Sequence, residues 1–203
     1  MDPEPCLRPA QITGVILAGG RARRLGGVDK GLVEVAGLSL VERVIGVLTP
    51  QVGSLLINAN RESGRYLRLG HPVIPDQRPG FPGPLAGIAS ALAAAPTDWI
   101  LCVPCDTPWI PPDLGNRLGL ALEAGRADLA VAHDGVRLQP LHALIPVRLA
   151  RSLDAYLDAG GSAVQDWYHT LRSAVADFSD QPGGFANLNT WGDLREMERR
   201  LGG

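Results

Sequence analysis

The sequence predicts an α/β domain built on a mostly parallel central sheet, and three observations carry that prediction. Strand-like apolar runs alternate with segments of helical period along nearly the whole chain. The most hydrophobic run, "DWILCVPCD" (Asp98–Asp106), reads as a strand in the middle of the sheet. Apolar residues make up 45% of the 203, enough for one substantial core. Aromatic residues are only 5%, so aliphatic and alanine packing must fill that core.

The elements follow in order. Val15, Ile16 and Leu17 read as the end of a buried strand, punctuated by Gly19 and Gly20. Ser39 to Glu42 reads as a capping box, followed by one apolar helical face at Leu40, Val41, Val44, Ile45 and Leu48, and Pro50 ends that helix. "SLLINAN" (Ser54–Asn60) and "PVIPD" (Pro72–Asp76) read as the second and third strands. The glycine- and proline-rich loop Arg78–Gly87 passes into a helix carrying Leu85, Ile88, Ala89 and Leu92. After the central strand, Pro111 and Pro112 open a helix with Leu114, Leu118 and Leu122 inward and Gly125 at its end. Two strands are expected around Asp134-Gly135, then helices near 149–157 and 164–171 and a strand at 174–178. Thr190 to Asp193 reads as the cap of a last helix with Leu194, Met197 and Leu201 inward. Residues 1–10, with three prolines, read as a disordered tail ahead of a single domain over 11–203.

The net charge of −2 argues against a general nucleic-acid surface. No apolar run is long enough, or free enough of glycine, proline and charge, to span a bilayer, and no signal pattern opens the chain. Three cysteines, an odd number, argue against a disulfide scaffold at this size, so a reducing, cytoplasmic setting is expected. Positive charge is local: Arg21, Arg23, Arg24 and Lys30 cluster beside Gly19 and Gly20. Paired glycines let backbone amides approach a ligand, and the surrounding cations make that ligand a small anion. The plainer alternative is a surface turn with solvated arginines.

In an open parallel sheet, ligands bind at the carboxyl ends of the strands. There the chain places Gly19 and Gly20, Asn58 and Asn60, Asp76, and Asp106. An anion-binding loop, two amides and two carboxylates on one rim suggest a nucleotide site with a metal ion. Each residue also has a structural reading. Asp106 and Asp76 suit turns, Asn58 and Asn60 can satisfy a strand end, and Gly83 and Gly87 can serve tight helix entry. Asn187 and Asn189 can shape a local turn.

The loop carries neither G-x-G-x-x-G nor G-x-x-x-x-G-K-[ST]. Instead "LAGGRARRLGGVDKGL" (Leu17–Leu32), "INANR" (Ile57–Arg61), "PGPLAGI" (Pro82–Ile88), "PCDTPWIPPDL" (Pro104–Leu114) and "FANLNT" (Phe185–Thr190) together resemble the molybdenum cofactor guanylyltransferases, within the nucleotide-diphosphate transferase superfamily. The first stretch alone is a superfamily mark; the last two bring the resemblance to the family, and together they span nearly the whole chain after the tail. The resemblance implies a three-layer, Rossmann-like nucleotidyltransferase domain. It implies transfer of GMP from GTP to the phosphate of molybdenum-bound molybdopterin, with release of pyrophosphate and with Mg²⁺ as cofactor.

It also implies roles. Arg24, Lys30 and Asp106 would be catalytic, with Asp106 holding the metal. Leu17, Ala18, Gly19, Gly20, Lys30, Asn58, Asp76, Gly83, Gly87 and Asp106 would bind GTP. Asn187 and Asn189, in a segment distant from the triphosphate loop, would serve the pterin side. Implied partners are the two substrates and, transiently, a molybdenum insertase or molybdoenzyme chaperones. "GRARR" is more basic than the serine-containing loop common in the superfamily, which leaves Arg21 without an assigned role.

Rival readings are a cytidylyltransferase for the same cofactor, a sugar-phosphate nucleotidylyltransferase, a nucleotide-binding module without turnover, and a redox protein using Cys102 and Cys105. The redox reading lacks a helix start at Cys102, and Asp106 beside the pair would raise a thiol pKa. His142, in an alternating run, reads as a structural histidine, and Trp99 and Trp109 as packing residues.

Overall fold

The apolar opening run forms β1 (Ile12–Leu17), buried at all six positions. β4 (Ser54–Asn58) and β6 (Trp99–Pro104) lie parallel against its two edges. The computed structural model describes residues 7–19, 29–78, 83–181 and 183–202. β5 (Val73–Ile74) extends the sheet beyond β4, again in parallel. On the other side, β8 (Leu138–Pro146) runs antiparallel to β6, β7 (Leu129–His133) is antiparallel to β8, and β9 (Ser173–Asp177) is parallel to β7. The order is β5-β4-β1-β6-β8-β7-β9, a mixed sheet that is mostly parallel.

Helices cover both faces. α1 (Leu40–Leu48) and α4 (Leu114–Gly125) pack Val41, Val44, Leu48, Leu114, Leu118 and Leu122 on one face of the sheet. α3 (Pro84–Ala94), α5 (Ala150–Asp158) and α6 (Val164–His169) pack Ile88, Leu92, Leu153, Leu157 and Trp167 on the other. α1 starts where its capping box predicts: the Ser39 amide donates to Glu42 Oε2 at 2.8 Å and the Glu42 amide to Ser39 Oγ at 3.4 Å. The Ser39 hydroxyl also donates to Glu42 Oε2, and that bond, with the one from the Ser39 amide, holds the Glu42 carboxyl below its ordinary range.

A third, smaller cluster joins the ends of the chain. β2 (Glu34–Val35) and β3 (Leu38–Ser39) form a hairpin whose two-residue turn, Ala36-Gly37, has φ of 49° and 78°, as a two-residue hairpin turn with matching twist requires. Val33, Val35 and Leu40 pack there against Leu188 and against Leu194 and Met197 of α7 (Trp191–Gly202), with Trp109 alongside. Leu201, expected inward, is 38% exposed, because α7 has run past the hairpin by then.

Two details depart from the sequence-based expectation. Residues 7–10 are part of the fold: Pro9–Gln11 is a 3-10 turn and Leu7 packs against the α1-side core. Gly53 permits this docking, since a Cβ there would lie 2.7 Å from Ala10 Cα. The β2–β3 hairpin and the short α2 (Ser63–Leu67) have no counterpart in the sequence-based element order. In line with the sequence reading, Cys102 packs in the α3-side core and Cys105 in the α1-side core, on opposite faces of the sheet. Burial pushes both thiols up, with Asp106 and Asp29 adding to the effect at Cys105. That arrangement offers no reactive dithiol. Among the described residues, no helix is long and apolar enough to cross a membrane.

Candidate functional site

Strand order reverses at β1, since the chain moves to β4 on one side and returns to β6 on the other. A crevice opens at the carboxyl ends of such strands. The register brings the three ends level, with Leu17 paired to both Asn58 and Pro104. Residues 18–19, 59–60 and 105–106 therefore leave the sheet side by side.

On the β4 side, Asp76 is gripped by two amides. Asn58 Nδ2 donates to its Oδ1 at 2.9 Å and Asn60 Nδ2 to its Oδ2 at 2.7 Å, while the Asp76 amide donates to Asn60 Oδ1 at 2.7 Å. Asn58 also donates to the Ile74 carbonyl and is 2% exposed. Two glycines make room for this network. A Cβ at Gly19 would sit 3.1 Å from Asn60 Nδ2, and one at Gly87 would sit 2.3 Å from Asn58 Oδ1. Leu17 and Ala18 turn their side chains into opposite cores, so only their backbone faces the crevice. Gly83 caps the N-terminus of α3, and no described atom lies within 4 Å of its Cβ position.

On the β6 side, Lys30 Nζ donates to Asp106 Oδ2 at 2.5 Å and to Asn189 Oδ1 at 2.8 Å. The side chains of Lys30 and Asp106 are 18% and 21% exposed, so both are sheltered yet open to a ligand. The Leu188 amide donates to the Asp106 carbonyl at 2.9 Å and pins the C-terminal segment to the strand end. Asn189 is fixed in turn by the α7 cap. The Asn189 and Thr190 amides donate to Asp193 Oδ2 at 2.7 and 2.8 Å, and the Asp193 amide donates to Thr190 Oγ1. These amides hold the Asp193 carboxyl below its ordinary range.

Tyr66 fixes the residues on either side of Lys30. Tyr66, fully buried on α2, donates to Asp29 Oδ1 at 2.6 Å. A Cβ at Gly31 would come within 2.5 Å of the same phenol oxygen. Burial above all pushes the Tyr66 hydroxyl pKa up, so it stays a donor. No sequence pattern marked Tyr66, because a lone tyrosine on a five-residue helix carries no periodic signal.

The expected residues thus gather into two groups on one rim, Gly19, Asn58, Asp76 and Gly87 around β4, and Lys30, Asp106 and Asn189 around β6. Gly20, Arg21, Arg23 and Arg24 lie outside the described residues. The expectation that Asn187 and Asn189 both stand apart from Lys30 needs correction. Asn189 turns back onto Lys30, and Asn187 alone faces a separate cavity of about 340 Å³, lined also by Pro104, Arg137, Gln139, His142 and Gln165.

Comparison with known proteins fits this geometry. Residues 14–174 match the model of the MobA-like NTP transferase domain. The chain is 50% identical over 191 residues to the molybdenum cofactor guanylyltransferase of Shewanella sp. (strain ANA-3), covering 94% of this chain and 95% of that one. It is 49% identical over 180 residues to the protein of the same name from Shewanella sediminis (strain HAW-EB3), covering 89% and 92%. Among solved structures, molybdopterin-guanine dinucleotide biosynthesis protein A from Archaeoglobus fulgidus superposes with a TM-score of 0.77 at 22% identity, covering 94% of this chain and 98% of that one. A nucleotidyl transferase from Methanothermobacter thermautotroptrophicus gives 0.73 at 20% identity, covering 94% and 97%.

Proposed function

The chain belongs to the MobA-like NTP transferase domain family, and from that membership we propose that it transfers GMP from GTP to the terminal phosphate of molybdenum-bound molybdopterin. The observation that carries this reading is 50% identity, over 94% of the chain, to a protein named molybdenum cofactor guanylyltransferase. The sugar-phosphate, redox and non-catalytic readings are not favoured. A phosphate oxygen of the acceptor attacks the α-phosphorus, the bond from that phosphorus to the bridging oxygen breaks, and pyrophosphate leaves. The acceptor phosphate is already ionised at neutral pH, so no general base is needed.

Two polyanions must meet, and the residues on the rim suit that task. Lys30 supplies a point charge whose direction is set by Asp106 and Asn189. The Gly19–Gly20 amides and Arg24 are the further donors we assign to the triphosphate. Asn58, Asp76, Gly83 and Gly87 form the nucleotide side, and Asn187 the pterin side.

The donor set also fits Mg²⁺. Among the described residues no cluster of three or more His, Cys, Asp or Glu forms a metal cage. Asp106 offers one carboxylate with only Oδ2 engaged by Lys30. A hard ion that keeps its waters and binds substrate phosphates asks for no more than one or two carboxylates. When bound at Asp106, the ion would screen the charge on the α-phosphate.

Pyrophosphate release from GTP, CTP and ATP, with molybdenum-molybdopterin as acceptor, tests the reading. Release is expected with GTP; faster release with CTP would make the chain a cytidylyltransferase. The nucleotide side has its own test in Gly87→Ala, whose Cβ displaces Asn58 Oδ1. Alanine is the better helix former by about 1 kcal/mol, which offsets part of the cost of that crowding, and the folded variant reports on binding. GTP affinity falls about tenfold in calorimetry. Unchanged affinity in the folded variant removes Asn58 from the nucleotide contacts.

A further inference from the structure

His142 lies on β8 at 2% exposure, and the reaction as described gives it no task. Its Nε2 is 3.0 Å from Thr107 Oγ1. The same hydroxyl donates to the Pro104 carbonyl at 3.2 Å and so closes the turn that carries Asp106. A hydroxyl has one proton. With that proton directed to the Pro104 carbonyl, Thr107 Oγ1 accepts from His142, which fixes the Nε2–H tautomer and leaves Nδ1 a bare acceptor, buried with no partner among the described residues. Burial pushes the His142 pKa down to about 3, so the ring is neutral. The ring also stands edge-on to Phe185, centroids 4.8 Å apart and planes at 88°, at the start of the segment that carries Asn187 and Asn189.

We propose that His142 is a positioning residue for the transfer reaction, setting Asp106 through Thr107 and holding the 185–189 segment in register through Phe185. The directed Nε2–H bond joins the ring to the turn under Asp106, and the edge contact with Phe185 joins it to the segment that carries Asn189. The inference rests on the guanylyltransferase reading, and the test separates the two. If the unchanged protein releases no pyrophosphate from GTP, that reading fails. If it does and the variants below match it, only the role of His142 fails.

His142→Phe keeps a flat ring against Phe185 and removes the donor. It also removes the unpartnered acceptor, so the melting temperature is expected to stay close to that of the unchanged protein. The expected result is about a tenfold fall in kcat with KM for GTP changed by no more than about twofold. Calorimetry of GTP binding, with and without Mg²⁺, is expected to show a reduced Mg²⁺-dependent gain and an unchanged metal-free affinity. His142→Gln restores most of kcat, because its amide nitrogen is as many bonds from Cβ as Nε2 is. His142→Asn does not, because its nitrogen sits where Nδ1 sits. Thr107→Val lowers kcat like His142→Phe, and the two together cost little more than either alone. Full kcat in His142→Phe, equal loss in the Gln and Phe variants, or ¹⁵N shifts showing protonated Nδ1 overturns the proposal.

Discussion

Asp106→Asn is expected to lower the rate of GMP transfer about 10²-fold or more, with little change in melting temperature. The amide has the size of the carboxylate, and the bond from the Leu188 amide to residue 106 uses the backbone carbonyl, so the β6 turn and its C-terminal neighbour remain. What is lost is charge. Lys30 keeps Asn189 and can keep a neutral amide oxygen at 106, but it is no longer held at the strand end by an anion. The carboxylate proposed to hold Mg²⁺ is lost in the same substitution. Pyrophosphate release at saturating GTP measures the effect. Retention of full activity removes Asp106 from both the metal site and the catalytic group.

Much of this framework can be read from local chemistry. Continuous apolar runs identify β1 and β6, and the Ser39–Glu42 pair places the start of α1. The rim residues follow, because a parallel sheet puts strand-end residues together whatever its strand order. What stays hidden depends on contacts distant in sequence. β2 and β3 have two residues each, too few for any periodicity, and only the positive-φ turn at Ala36-Gly37 defines them. The clamp of Tyr66 on Asp29 spans 37 positions, and the bond between Lys30 and Asn189 spans 159. That last bond exists because Leu194 and Met197 of α7 dock on Val33, Val35 and Leu40, which swings the α7 cap over Lys30. Neither partner announces the other. His142 shows the same limit: alternation along β8 identifies a buried position, and only the fold puts Thr107 opposite its Nε2.

Asn189→Asp is expected to lower both GTP affinity and kcat, the latter about 10²-fold, whereas Asn187→Asp is expected to spare GTP binding. Asn189 and Asp106 share the Lys30 ammonium, through contacts of 2.8 and 2.5 Å. A carboxylate at 189 puts two anions around one cation at a site only about a fifth exposed. With both carboxylates ionised, Lys30 is drawn away from the triphosphate and its charge is offset twice, which weakens the positive end of the site. Asn187 faces the cavity with Arg137, Gln139 and Gln165 and does not touch Lys30. A carboxylate there repels an incoming acceptor phosphate or disturbs hydrogen bonds that an amide makes as both donor and acceptor. The acceptor KM rises by about tenfold while GTP affinity stays within about twofold. Kinetics with each substrate varied in turn, together with GTP calorimetry, separate the two asparagines. If Asn189→Asp keeps normal GTP affinity and loses only acceptor use, the Lys30–Asn189 contact has no part in nucleotide binding, and both asparagines belong to the pterin side.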